Sequence, residues 1–71
     1  MKIIDVSEKY TYNCGHINGS VNIPYDELIN NYRVYLNKND VYYIYCKSGK
    51  LSKRMTMVLS SLGYKVFLLE N

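Results

Sequence analysis

The stretch Tyr42-Tyr43-Ile44-Tyr45-Cys46-Lys47-Ser48-Gly49-Lys50-Leu51-Ser52 decides the fold of this 71-residue chain. The β-branched and aromatic run over residues 41–45 predicts a buried central strand, because strands covered on both faces read as continuous apolar segments. Cys46 stands at the exit of that strand, and the small, polar or basic residues 47–50 predict a tight loop. Apolar residues then recur at helical spacing. They are Leu51, Met55, Val58, Leu59 and Leu62.

The position of Cys46 favours a reactive thiol over a cysteine that only fills space. Free cysteines are among the most buried residue types, but one retained for packing is expected inside the strand. At a helix N-terminus, loop amides and the positive end of the helix dipole stabilise an anion. The pKa of a cysteine in such surroundings can fall from about 8.5 to roughly 3.5–7.5. Lys47 and Lys50 favour the thiolate in the same way.

The rest of the chain continues the alternation of strands and helices. Apolar runs predict further strands over residues 2–6, 21–23 and 65–69, and the central strand and its following helix occupy residues 41–45 and 51–62. One turn of helix is predicted to end near Tyr12, before a break at residues 13–15. A longer helix over residues 25–36 follows Pro24. Gly63 is predicted to end the last helix. The pattern predicts one α/β domain over residues 1–71, with a mostly parallel sheet and its site beyond the carboxyl ends of the strands.

Composition excludes several classes of function. The net charge of +3 is mild and no nucleic-acid motif is present, so we expect no nucleic-acid partner. No apolar run reaches the roughly 18 residues of a membrane span, and the first residues do not resemble a signal peptide, so we expect a cytoplasmic protein. A reducing cytosol argues against a structural disulfide. Cys14, His16 and Cys46 are too few for a zinc site, and we expect no metal or other cofactor.

Three segments together resemble the rhodanese-like family. They are Asp5-Val6, Gly15-His16-Ile17-Asn18-Gly19-Ser20-Val21-Asn22-Ile23-Pro24 and Tyr45-Cys46-Lys47-Ser48-Gly49-Lys50-Leu51-Ser52. Their order and spacing match over nearly the whole chain. The resemblance implies a small α/β domain with helices flanking a parallel sheet and, in many members, sulfurtransferase activity.

The resemblance makes Cys46 the nucleophile of two-step covalent catalysis. On this resemblance we expect its thiolate to accept sulfane sulfur from a small anion, thiosulfate or polysulfide, and the resulting persulfide to pass the sulfur to a thiol or protein acceptor. The loop amides are expected to hold the persulfide charge. The loop residues are Lys47, Ser48, Gly49, Lys50, Leu51 and Ser52. Gly49 permits the tight turn, and Ser52 either donates to the sulfur or caps the helix.

Two further residues are expected to support the site. His16 invites assignment as a general base, but the resemblance places it in a structural turn where its ring hydrogen-bonds to backbone groups. Asp5, at the end of a strand near the loop, is expected to orient other groups rather than to react.

The chain also departs from the family pattern. Family members often carry an arginine at the position of Ser7 and another at that of Leu51. Lysine does not reproduce the bidentate anion binding of arginine, so efficient thiosulfate turnover is in question. Compared with the family pattern, we expect the chain to lack the usual leading helix and strand and the usual final helix. We expect an uncovered apolar sheet surface, and from it a homodimer or a contact with another protein.

Three alternatives stand beside sulfur transfer. The missing arginines suit a rhodanese-like module that binds a partner without catalysis, although Cys46 itself favours an enzyme. A phosphatase or arsenate reductase needs Cys-x5-Arg, and the sixth position after Cys46 is Ser52, which argues against this class. A disulfide switch between Cys14 and Cys46 is a weaker idea, because Cys14 is expected to be a small buried or half-exposed filler.

Overall fold

The computed structural model describes residues 2–70, in which four strands alternate with three helices. The elements are β1 (Lys2–Asp5), α1 (Lys9–Cys14), β2 (Val21–Asn22), α2 (Tyr25–Tyr35), β3 (Val41–Tyr45), α3 (Lys50–Ser61) and β4 (Lys65–Leu68). The predicted order of elements is confirmed. The start of the break expected at residues 13–15 is wrong by two residues, because α1 continues through Cys14 and ends before Gly15.

The four strands form one parallel sheet in the order β2-β1-β3-β4. Ile44 of β3 pairs with Ile4 of β1 on one side and with Leu68 of β4 on the other. The carboxyl ends of β1, β3 and β4 therefore meet at one edge of the sheet, which confirms the predicted parallel α/β architecture.

The helices lie on both faces of the sheet. Parallel crossovers are almost always right-handed, so the connections that lead toward β4 place α2 and α3 on one face. The β1–β2 connection runs the other way and places α1 on the opposite face. The α2/α3 face holds the main core, and its fully buried side chains include Leu28, Ile44, Met55 and Leu59. Burial of each such side chain stabilises the fold by roughly 1.5–3 kcal/mol, which fixes α3 against β3.

The opposite face is only partly covered. Side chains alternate between the faces of a strand, so Ile3, Tyr43 and Phe67, which pair across the sheet, share this second face. Ile3 is buried, but Phe67 is 53% exposed and its ring lies 5.9 Å from that of Tyr43. This is apolar sheet surface of the kind that the sequence led us to expect.

A glycine in the left-handed region closes α3. Gly63 has φ = 94°, its amide donates to the Ser60 carbonyl, and the Tyr64 amide donates to the Leu59 carbonyl, each at 3.0 Å. These two bonds form a Schellman motif, so the prediction that Gly63 ends this helix is confirmed. Over residues 2–70, no helix combines the length and apolar character that crossing a bilayer requires.

Candidate active site

Cys46 lies directly beyond the last residue of β3, at the edge where the carboxyl ends of three strands meet. Its side chain is 3% exposed and belongs to the main core cluster. The neighbouring chain segments hold the strand end in place, because the Val6 amide donates to the Tyr45 carbonyl and the Leu69 amide to the Ile44 carbonyl, both at 2.9 Å. The thiol therefore follows a strand end that is hydrogen-bonded to the chain on both sides.

The loop after Cys46 turns at Gly49, which has φ = 81° and ψ = −12°. An L-residue disfavours this left-handed conformation because its Cβ approaches the following carbonyl oxygen. The tight turn predicted at Gly49 is confirmed. The amide of Lys50 donates to the Ser48 hydroxyl at 3.2 Å. That amide therefore stabilises the loop itself, whereas the sequence assigned all the loop amides to the sulfur.

Ser52 makes the closest contacts with the sulfur. Its amide donates to Cys46 Sγ at 3.3 Å, and its hydroxyl oxygen lies 3.3 Å from the same sulfur. The Ser48 hydroxyl is 3.8 Å away. Ser52 is the third residue of α3 and its hydroxyl donates to the Gly49 carbonyl at 3.2 Å, so the alternative that Ser52 caps the helix is wrong. The N-cap residue is Gly49.

These contacts decide the ionisation of the thiol. Burial of the sulfur in the core raises the pKa of Cys46, because a thiolate loses hydration there. Hydrogen bonds that join the sulfur to the Ser52 hydroxyl and amide, the Ser48 hydroxyl and the Gly49 amide act in the opposite direction, and together they hold the pKa of Cys46 below its usual range. A lowered pKa increases the thiolate fraction near neutral pH, and the thiolate is the nucleophilic form.

An open cavity of about 340 Å³ reaches the sulfur from the side of β4. Its lining combines the loop, the first turns of α3 and the chain that follows β4: Cys46, Ser48, Gly49, Lys50, Lys53, Leu68, Leu69 and Glu70. The sequence singled out the loop residues but not Lys53 or residues 68–70. The spacing of three between Lys50 and Lys53 was a readable signal, since such residues share a helix face.

A second hollow reaches the sulfur from the side of α1. It is lined by Ser7, Glu8, Thr11, Cys46, Lys47, Ser48 and Leu51. Lys47 therefore faces a different approach to the thiol from Lys50. Ser7 and Leu51 also line this hollow, and neither side chain carries a charge.

The two supporting residues lie away from the sulfur. Asp5 is buried, and its carboxylate accepts a hydrogen bond from the Ser7 amide at 2.9 Å. The Asn22 side chain, which the sequence did not single out, donates to the backbone carbonyls of Asp5 and Ser7. These three hydrogen bonds hold the turn after β1, which brings Ser7 into the lining of the second hollow.

His16 is exposed, and its Nδ1–H donates to the Tyr12 carbonyl at 2.9 Å while its ring stacks on the Tyr12 ring at 3.7 Å. Within residues 2–70, neither Asp5 nor His16 hydrogen-bonds to Cys46. Cys14 also differs from expectation, because it lies exposed in the last turn of α1, and both cysteines are free thiols. No group of three potential metal ligands comes together in this part of the chain.

The sequence of this chain is similar to those of known proteins. A model of the rhodanese-like domain matches residues 1–71. Thiosulfate sulfurtransferase PspE of Escherichia coli is 34% identical over 62 residues, which are 86% of this chain and 60% of PspE. YrkF of Bacillus subtilis, named as a proposed sulfur carrier protein, is 37% identical over 65 residues, which are 92% of this chain and 35% of YrkF. The chain thus spans less than two thirds of either relative.

A solved structure gives the same result for the fold. The crystal structure of a rhodanese-related protein from Thermoplasma volcanium matches with a TM-score of 0.88 at 30% identity, over 99% of this chain and 69% of that chain. The match over almost every residue includes β3, the loop and α3, the elements that carry Cys46.

Proposed function

The chain belongs to the rhodanese-like family, and from this membership and the surroundings of Cys46 we propose that it is a sulfurtransferase. Cys46 accepts sulfane sulfur from thiosulfate or a polysulfide and passes it to a thiol or protein acceptor. The relatives named for thiosulfate sulfur transfer and for sulfur carriage support this class of reaction. No cofactor is needed, because the cysteine itself carries the sulfur.

The reaction balances without an oxidant. The Cys46 thiolate attacks the outer sulfur of thiosulfate, a new S–S bond forms, and sulfite leaves with the electron pair of the bond that breaks. The persulfide anion remains on the protein. A second nucleophile, such as cyanide or a thiolate, then takes the outer sulfur and restores the Cys46 thiolate, as in other two-step covalent mechanisms.

One observation carries the proposal: the Cys46 sulfur is buried, yet it receives the Ser52 amide at 3.3 Å at the inner end of an open cavity. A cysteine kept only for packing has no need of a donor aimed at its sulfur. A donor fixed in place stabilises negative charge without reorganisation during the reaction. The same donor serves the thiolate before sulfur arrives and the inner sulfur afterwards.

Turnover with thiosulfate is expected to be slow. The positions of Ser7 and Leu51 offer no guanidinium, and an arginine fork binds an oxyanion through two parallel hydrogen bonds that lysine cannot match. The hydrogen bonds to the Cys46 sulfur do not depend on these two positions, because its partners are Ser48, Gly49 and Ser52. We therefore expect persulfide formation to be easier to detect than steady-state turnover.

The second candidate is a partner-binding module without catalysis. The exposed Phe67 and its ring contact with Tyr43 favour it, because apolar sheet surface of this kind commonly lies in protein interfaces. A homodimer through this face and a cytoplasmic location remain predictions. Light scattering at high micromolar concentration tests the dimer, and a monomeric mass would count against it.

The deciding experiment is the intact mass of the protein after incubation with thiosulfate alone. We expect a gain of one sulfur atom, about 32 Da, as a persulfide, and peptide mapping should place it at position 46. Thiocyanate formation from thiosulfate and cyanide is measured in parallel. Cys46→Ser should lose both signals, because a hydroxyl is not ionised near neutral pH.

Cys14→Ser is the matched control, since it removes the other thiol of the chain, and it should retain both signals. Absence of added sulfur with thiosulfate and with polysulfide would reject the sulfurtransferase and leave the binding module. If the added sulfur is retained in Cys46→Ser but lost in Cys14→Ser, the reactive thiol is Cys14 and the proposal for Cys46 is rejected.

A further inference from the structure

Two lysines stand at the start of α3 on the cavity side of the sulfur. Lys50 is the first residue of the helix, Lys53 follows one turn later, and both side chains are exposed and line the same cavity as Cys46. Lys53 lies outside the loop that ends at Ser52. Opposite them, Glu70 contributes one negative charge, so the residues that surround the thiol in this cavity carry one net positive charge.

This arrangement of charge does not favour the helix. Cations are unfavourable near a helix N-terminus, where the backbone dipole is positive and acidic residues are preferred. The first turn of α3 contains no acidic residue, and within residues 2–70 neither lysine has an ion-pair partner. Proteins commonly depart from a local rule of this kind at functional sites. An anion bound in the cavity would remove the conflict.

Resting on the sulfurtransferase function proposed above, we infer that the sulfur donor enters through the β4-side cavity and that Lys53 selects donors carrying a negative charge. The donor class is a small anion whose sulfane sulfur reaches Cys46 while its charged group lies between Lys50 and Lys53. Thiosulfate, with its sulfonate group, belongs to this class. The cavity of about 340 Å³ is near the lower end of the roughly 300–1,000 Å³ of small-molecule sites, which suits a compact donor.

Lysines lie on two different sides of the Cys46 sulfur. Lys47 faces the second hollow, beside Ser7 and Glu8, whereas Lys53 faces the cavity beside Leu68 and Leu69. Sulfite, the leaving group in the loading step, carries the electron pair of the broken bond and departs past the same two lysines. Lys53 stabilises charge on the donor and on the leaving group without touching the sulfur of Cys46, so it is a specificity residue.

The test uses alkylation of Cys46 in a Cys14→Ser background, in which only one thiol remains. Iodoacetate and iodoacetamide form the same kind of S–C bond and release iodide, but only iodoacetate is an anion. The ratio of their second-order rate constants therefore measures positive potential on the approach path. A change in the thiolate fraction affects both reagents equally and cancels in the ratio.

We expect Lys53→Gln to lower the iodoacetate-to-iodoacetamide ratio by about two- to fivefold at low ionic strength, and the difference to shrink at high salt. Loading with thiosulfate should slow by a similar factor. Lys65→Gln is the matched control: it makes the same change of charge at the start of β4, the opposite end of the sheet, and should leave the ratio unchanged.

The outcomes separate this inference from the proposed function. A ratio that falls in Lys47→Gln but not in Lys53→Gln would overturn the inference, as would equal ratios in Lys53→Gln and Lys65→Gln, even if thiosulfate still loads Cys46. A ratio lowered only by Lys53→Gln supports the anion entry even if thiosulfate adds no sulfur, in which case the sulfurtransferase proposal fails alone.

Discussion

Both ends of α3 are flanked by a left-handed glycine, but the backbone amides at the two ends bind different partners. The helix begins after Gly49 and ends before Gly63, and both glycines are left-handed, with φ of 81° and 94°. At the C-terminal end, the Gly63 and Tyr64 amides return to helix carbonyls and close a Schellman motif. At the N-terminal end, the Ser52 amide is directed to the sulfur of Cys46.

The difference lies in which backbone groups a helix leaves unpaired. The N-terminal end leaves amides, which stabilise anions, and the C-terminal end leaves carbonyls, which do not. A left-handed glycine therefore makes a turn at either end, and only the amide end with a cysteine beside it makes a site. Under the proposed function, reactivity at this site depends on the direction of the helix and on a single thiol rather than on a special backbone.

The largest expected effects come from replacing the two glycines. Gly49→Ala and Gly63→Ala should each cost about 1–2 kcal/mol of unfolding free energy, because a Cβ is strained at positive φ. Only Gly49→Ala should also reduce alkylation of Cys46, by more than about tenfold, since it displaces the Gly49 and Ser52 amides from the sulfur. Chemical denaturation and iodoacetamide kinetics at neutral pH measure the two effects.

At neither glycine would the added Cβ clash with a neighbouring atom, so the two alanine variants differ from the wild type mainly in backbone strain. A Cβ at Gly49 would meet nothing within 4 Å, and one at Gly63 would meet the Lys38 side chain at an ordinary 3.5 Å. Gly63→Ala is therefore a matched control for backbone strain. Equal losses of Cys46 reactivity in the two variants would mean that general loosening, and not the local amides, controls the thiol.

The sequence predicted both ends of α3 because each is a local pattern. The apolar run of β3, the helical spacing after Leu51 and the two glycines are all readable over a few residues, and the structure places the corresponding elements within one or two residues of those predictions. The position of Ser52 was less readable. A serine near a predicted helix start is a common cap, whereas the structure starts α3 at Lys50 and places Ser52 inside the helix.

The walls of the cavity could not be predicted in the same way. Leu68 and Leu69 reach the site because β4 pairs with β3 and the Leu69 amide bonds to the Ile44 carbonyl. Strand order depends on long-range pairing, which leaves no local pattern in the sequence. The role of Asn22 in bracing the turn after β1 is similarly hidden, since its partners lie 15 and 17 residues earlier.

Replacing one serine at each end of α3 should have a smaller effect on the reactivity of Cys46. Ser52 and Ser61 each donate a hydroxyl hydrogen bond to the carbonyl three residues before, at opposite ends of α3. When Cys46 ionises, the Ser52 hydroxyl can turn its proton from the Gly49 carbonyl to the sulfur, which lies 3.3 Å from the hydroxyl oxygen. Ser52→Ala should therefore raise the pKa of Cys46 and slow its alkylation by about three- to tenfold at pH values below that pKa, because a hydrogen bond to a charged group contributes roughly 1.5–3 kcal/mol. The Ser52 amide limits the loss.

Ser61→Ala controls for removal of a hydroxyl from the same helix and should leave the pH profile of Cys46 alkylation in place. Iodoacetamide rates across a pH series, in the Cys14→Ser background, give the profile of each variant. If Ser52→Ala leaves the profile unmoved, the amide alone holds the thiolate and the hydroxyl only serves the Gly49 carbonyl.

The smallest expected effect is a pH dependence of stability that originates at the N-terminal end of α3. The folded state lowers the pKa of Cys46, so the folded protein releases the thiol proton more readily than the unfolded chain does. The resulting stabilisation is fully present above the unfolded thiol pKa, about 8.5, and is lost as the pH falls through the lower folded value.

The difference in unfolding free energy between the wild type and Cys46→Ser should therefore grow as the pH is raised from 6 to 9.5, and urea denaturation at several pH values measures it. The same difference taken between Cys14→Ser and the double variant should show the same trend. A difference that shrinks with rising pH would mean that burial outweighs the hydrogen bonds at the sulfur, and that the amide end of α3 does not stabilise an anion.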